Sequence, residues 1–132
     1  AREADLWNGY GSPERVARVS DQLRARCEEI GRPFESVSRT VMFDAILRDR
    51  PEDALEARDH YVQRHGLLGE AGSDGSPRGL QAWGPPDTIA RHVRPYADLG
   101  VTEMIWMFRS PFDLESIRRL PELRAALAAQ RG

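Results

Sequence analysis

The 132-residue sequence contains no lysine: all 19 basic residues are arginines, set against 21 acidic residues for a net charge of −2. The arginines interleave with carboxylates, as in Arg48-Asp49-Arg50 and Arg58-Asp59. Nucleic-acid binders concentrate positive charge on one face, so no nucleic-acid partner is expected. There is one cysteine, Cys27, which excludes an internal disulfide and favours a reducing, cytoplasmic setting. No stretch approaches the ~20 apolar residues of a membrane span, and no membrane contact is expected. The opening Ala1-Arg2-Glu3-Ala4-Asp5 has no apolar signal core, so nothing there addresses the chain for export. A G-x-S-x-G elbow, a Walker loop and a zinc cluster are also lacking. His60 and His65 stand five apart and His92 lies on another predicted helix, which is not a metal spacing.

What is present suits one globular domain over residues 1–132. The chain is 40% hydrophobic and 30% charged, and this length buries roughly 65–70% of the unfolded surface. Ala4-Asp5-Leu6-Trp7-Asn8 reads as a short strand entering the loop Gly9-Tyr10-Gly11. Ser12-Pro13-Glu14 then opens a helix with a serine cap, a first-turn proline and an acid. Val16, Val19, Leu23, Cys27 and Ile30 form its apolar stripe, and Gly31 and Pro33 stop it. Thr40 to Leu47 is nearly all apolar and too short for a good helix, which suits a strand buried on both faces. Pro51-Glu52-Asp53 opens a second helix that ends near His65. Residues 66–79 form a glycine-rich loop expected to be mobile. Gly84-Pro85-Pro86-Asp87 starts a third helix, which Pro95 is expected to kink and Gly100 ends. Val101 to Phe108 reads as another buried strand. Helical stretches at Leu114 to Leu120 and Glu122 to Ala129, broken at Pro121, close the chain. The alternation predicts an α/β fold with about three parallel strands. Three such strands leave two unpaired edges and two faces to cover, so the unit reads as incomplete.

Six of these pieces, in this order, resemble the C-terminal part of the luciferase-like monooxygenase superfamily. Ala4-Asp5-Leu6-Trp7-Asn8 looks like its A-D-G-W-N strand, and Ser12-Pro13-Glu14 like its S-P-E helix start. Cys27-Glu28-Glu29-Ile30-Gly31-Arg32 is similar to the G-R-D-P exit, and Gly84-Pro85-Pro86-Asp87-Thr88-Ile89-Ala90 to G-T-P-E-x-V-A. Tyr96-Ala97-Asp98-Leu99-Gly100-Val101 and Leu120-Pro121-Glu122-Leu123-Arg124 match the two closing motifs. Two departures stand out: Leu6 occupies the family's glycine position, and Pro85 replaces a hydroxyl cap. The resemblance implies a partial TIM-type (β/α) barrel holding the last three strand–helix units of eight, in a fold that typically needs ~250 residues. It also implies a flavin (FMN) or a deazaflavin coenzyme, a small organic substrate and oxidoreductase chemistry.

In such barrels, function gathers at the C-terminal ends of the strands. Trp7 and Asn8 are therefore candidates to line the cofactor, as an aromatic wall and an amide. Arg109, after the last strand, is a candidate to clamp a phosphate or carboxylate. The plainer alternatives are barrel packing for Trp7 and Asn8, and pairing with Asp113 for Arg109. Asp44, inside an apolar strand, is either a buried acid/base group or the partner of Arg39 or Arg48. No catalytic residue is assigned; the acid/base groups would come from sequence outside this chain, which is expected to be inactive alone. The alternative is a non-catalytic remnant or complementing fragment that folds through homo-oligomerisation.

Overall fold

In the computed structural model, which describes residues 2–67 and 80–130, helices and parallel strands alternate along the chain. The order is β1 (Leu6–Gly9), α1 (Pro13–Glu29), a 3-10 turn (Phe34–Ser36), β2 (Ser38–Leu47), α2 (Pro51–Arg64) and β3 (Leu80–Gly84). Then follow α3 (Pro86–Asp98), β4 (Glu103–Met107), α4 (Leu114–Arg118) and α5 (Leu120–Ala129). The expected glycine-rich loop at 66–79 lies, beyond Leu67, outside the described residues. The expected α/β alternation with parallel strands is present, and the sheet has four strands among the described residues; the additional one, β3, is unmarked in the sequence because its five residues, ending on Gly84, follow glycine-rich sequence and show no alternation. Pro121 lies in the first turn of α5, where its missing N–H costs nothing, so the break between the last two helices falls at Arg119.

β2 is the hub, and each of its three partners pairs with it in parallel. β1 takes Ser38–Val41, β4 takes Thr40–Asp44 and β3 takes Phe43–Leu47. A strand has two edges, and the β4 register overlaps both of the others. β4 therefore runs along one edge of β2, while β1 and β3 follow one another along the other.

Side chains alternate across a strand, and this divides β2 into two faces. Val41, Phe43, Ala45 and Leu47 join Val16 of α1, Ile89, Val93 and Tyr96 of α3, and Leu123 of α5 in the main core. The Phe43 ring lies at its centre, edge-on to Tyr96 at 5.2 Å and stacked on Trp106 at 5.3 Å. The buried Tyr96 hydroxyl donates to the Gly11 carbonyl at 3.0 Å; burial, with a smaller push from Glu14, raises its pKa to about 12. On the opposite face, Thr40, Met42, Asp44 and Ile46 point away from those helices. There α2 covers the C-terminal half of the sheet: Tyr61 reaches Asp44, and Arg58 lies 5.9 Å from the ring of Trp83, the register mate of Ile46. The other half of this face is open, with Leu6 50% and Ile105 38% exposed.

Local sequence accounts for the helix positions. The Ser12 hydroxyl accepts from the Arg15 N–H, Pro13 opens α1, and Gly31 takes φ +66° just past its end. Cys27 is fully buried, against Phe34 and Val37.

Candidate active site

At the C-terminal end of the sheet, β2, α2 and the segment after β4 bring three side chains to one point. Asp44 is completely buried, and its Oδ1 accepts from the Tyr61 hydroxyl at 2.6 Å and from Arg109 Nε at 3.2 Å. Its Oδ2 has no hydrogen-bond partner among the described residues. Burial, reinforced by the Asp44 carboxylate, pushes the Tyr61 hydroxyl well above its ordinary range, so it stays a donor at neutral pH. Burial alone would lower the Arg109 guanidinium, but Asp44 and then Tyr61 outweigh it and hold the group charged. An unpaired carboxylate this deep would be costly; the guanidinium supplies the compensating charge.

A second network ties the end of β2 to α4. Arg48 donates to Asp113 Oδ2 at 2.9 Å and to Ser116 Oγ at 3.1 Å, and the Leu47 N–H donates to the same hydroxyl at 2.7 Å. The Ser116 hydroxyl donates to Asp113 Oδ2 at 2.6 Å. Burial alone would raise the Asp113 carboxyl, but its bonds to Ser116 and Arg48 outweigh burial and hold it below the ordinary range. Between α2 and this network lies an open cleft of about 920 Å³, lined by Arg48, His60, Tyr61, His65, Phe112 and Asp113. Its walls carry both signs of charge together with aromatic surface. That suits a small polar molecule, and the side chains themselves carry no redox group.

The residues predicted from sequence are distributed as follows. Arg109 is at the end of β4 and belongs to the Asp44 cluster; its partner is Asp44, while Asp113 is held by Arg48. Asn8 is exposed on the same face of the sheet but stands opposite Thr40, whose hydroxyl donates to its Oδ1 at 2.9 Å. Arg109 lies beyond Met107, the register mate of Asp44, so it is ~13 Å or more further along the sheet. Trp7 points to the other face, half-buried against both core clusters. The three candidates for a flavin site therefore do not form one cradle within this chain, and no reaction step is routed through a bound flavin here. Gly9 follows from Trp7: a Cβ at position 9 would stand 2.6 Å from the indole ring. Asp44 was visible in the sequence as a carboxylate in an apolar strand, whereas Tyr61 carried no mark. Neither expected partner of Asp44 is correct. Arg39 is on the helix-covered face and donates to the Leu99 carbonyl, and Arg48 is taken by Asp113.

Parallel strands on a central β2, helices between them and a polar cluster at the strand ends define a partial TIM-type α/β fold. Neither a protein-family model nor a curated protein matches the chain. Among solved structures it is similar to the crystal structure of long-chain alkane monooxygenase (LadA), with a TM-score of 0.67 at 16% sequence identity. That likeness covers 92% of this chain and 37% of the other, so the chain spans little more than a third of that structure's length. At this identity the likeness establishes the fold alone.

Proposed function

We propose that this chain forms the C-terminal strand–helix units of a flavin- or deazaflavin-dependent oxidoreductase of the luciferase-like monooxygenase type, inactive by itself. The observation that carries the reading is the Asp44–Tyr61–Arg109 cluster, which sits at the C-terminal ends of parallel strands, where (β/α) barrels keep their chemistry. The likeness to a long-chain alkane monooxygenase and the six ordered motifs add to it. In this reading Arg109, steadied by Asp44, meets an anionic group of the cofactor or of a small organic substrate, while Asn8 borders the same face further down and Trp7 packs behind it on the helix-covered side. The redox chemistry belongs to the cofactor, and the protein contributes shape, charge and dryness.

A fluorescence titration of the purified chain with FMN and, separately, with the deazaflavin coenzyme tests this. Saturable micromolar binding of one of them, weakened by Arg109→Ala, supports the reading. Binding of neither at millimolar concentration overturns the claim that this chain holds part of the cofactor site. Steady-state turnover by the chain alone, with flavin and reductant, overturns the claim that it is inactive by itself. A second, non-catalytic reading is favoured by the open half of the inner face, where Leu6 and Ile105 meet water.

A further inference from the structure

We propose that α2 is a hinged cover over the strand ends: it lifts from the sheet while the rest of the fold stays intact, and the Tyr61–Asp44 hydrogen bond seats it. The motion stands on contacts within this chain; that it admits a ligand to Arg109 rests on the oxidoreductase reading. Helices α1, α3 and α5 give Val16, Ile89, Val93, Tyr96 and Leu123 to the main core. The 14-residue α2 lies on the opposite face, and its buried residues, Ala54 and Val62, belong to neither core cluster. Its Leu55 is 43% exposed. Helical stability in a protein comes chiefly from packing an apolar face, and segments with few buried apolar contacts open at lower free energy than the core. One flank of α2 also borders the cleft of about 920 Å³, which leaves space between the helix and the Arg48–Asp113 network.

Both ends of α2 have the features of a hinge. Before it the chain is anchored, Arg48 to Asp113 and Ser116, and Asp49 to Arg119 at 2.6 Å. At Arg50 the pairing changes, since its guanidinium binds Glu52 and Asp53 in the first turn of the helix itself. After the helix, Gly66 has φ +62° and open space where a Cβ would stand, so the backbone changes there at little steric cost. The latch lies between these points. The Tyr61 hydroxyl donates to the Asp44 carboxylate at 2.6 Å, a strong charge-assisted bond, while Arg58 lies 5.9 Å from the Trp83 ring, near the limit of a cation–π contact. Lifting the helix breaks the Tyr61 bond but returns Asp44 to water, including the Oδ2 that has no partner among the described residues. Rehydration of that carboxylate offsets part of the cost of opening. Asp44, completely buried while α2 is seated, then meets solvent beside Arg109.

Amide hydrogen exchange of the unsubstituted chain, followed residue by residue at low denaturant, tests the motion without any ligand. The amides of α2 are expected to exchange at a lower free energy, and with a weaker denaturant dependence, than those of α1 and α3, because lifting one helix exposes less surface than unfolding. Tyr61→Phe is expected to speed exchange in α2 at least about tenfold. Ile89→Val, a mild change in the main core, is expected to speed α1 and α3 by roughly 2–12-fold and to leave α2 unchanged, since the contacts of Ile89 persist when α2 lifts. Exchange of α2 at the same free energy and denaturant slope as the core overturns the proposal. So does acceleration of α2 by Ile89→Val equal to that of α1 and α3, or no acceleration by Tyr61→Phe. Exchange of α2 at the rate of an unfolded chain overturns it too, because the helix is then not seated at all. Failure of the flavin titration leaves these exchange results standing, so the two readings fail separately.

Discussion

Removing Arg109 should cost more than removing the carboxylate it neutralises. Asp44 is completely buried, whereas Arg109 is 36% exposed. Arg109→Ala leaves the carboxylate in the sheet with the Tyr61 hydroxyl as its remaining donor. Removing one partner of a fully buried pair costs about 3–5 kcal/mol. Here the exposed side of Arg109 admits water to the vacated space, and the expected loss is about 2–3 kcal/mol. Asp44→Asn removes the buried charge, keeps an acceptor for Tyr61 and lets Arg109 turn into solvent, so about 1 kcal/mol is expected. Tyr61→Phe, which deletes the 2.6 Å bond to a charged acceptor, falls between them at about 1.5–2.5 kcal/mol. Urea unfolding followed by circular dichroism near neutral pH reads these losses. Equal losses for Arg109→Ala and Asp44→Asn would refute the reasoning.

Three further outcomes follow from the same geometry. Phe43→Ala removes the ring at the centre of the core and should cost about 3–5 kcal/mol, enough to bring a domain of ordinary stability close to unfolding in a thermal melt. Asp113 has a depressed pKa, so its contribution is complete above the unfolded value of 3.8 and is lost as pH falls through the lower folded value. Asp113→Asn should therefore lower the melting temperature near neutral pH and flatten its fall on acidification. Gly9→Ala should destabilise by about 1–2 kcal/mol by displacing the Trp7 ring. In the background of Trp7→Ala the same change should be nearly neutral, which a double-mutant cycle in urea measures directly.

Most of the fold was legible because two signals rarely mislead. The cap of α1 was readable as Ser12-Pro13-Glu14, and β2 as an apolar run too short for a helix. β3 was not legible, since five residues with no alternation carry no period, and its place depends on pairing with the C-terminal half of β2. The side of the sheet taken by α2 was equally hidden. Only Ala54 and Val62 are buried along its length, so little in its pattern declares which surface it covers. Its position is set by polar and aromatic contacts, from Tyr61 to Asp44 and from Arg58 to Trp83, and such pairings leave no periodic trace.

The pairing of Asp44 with Arg109 shows what register adds to sequence. Along β2 the period of two separates Arg39 from Asp44 by face, and this alone removes one of the two expected partners. Arg48 is on the correct face but stands past the end of β2, where Asp113 and Ser116 meet it. Arg109 becomes the partner through β4. Met107 is the register mate of Asp44, and a residue two positions later returns to the same face one step nearer the strand ends. A shift of one residue in the β2–β4 register would turn Arg109 to the helix-covered side and leave a fully buried carboxylate without a cation. The ion pair is thus a constraint on strand alignment as well as a feature of the candidate site. That dual role is the reason Arg109→Ala is expected to reach beyond any ligand it holds, and Asp44→Asn much less so.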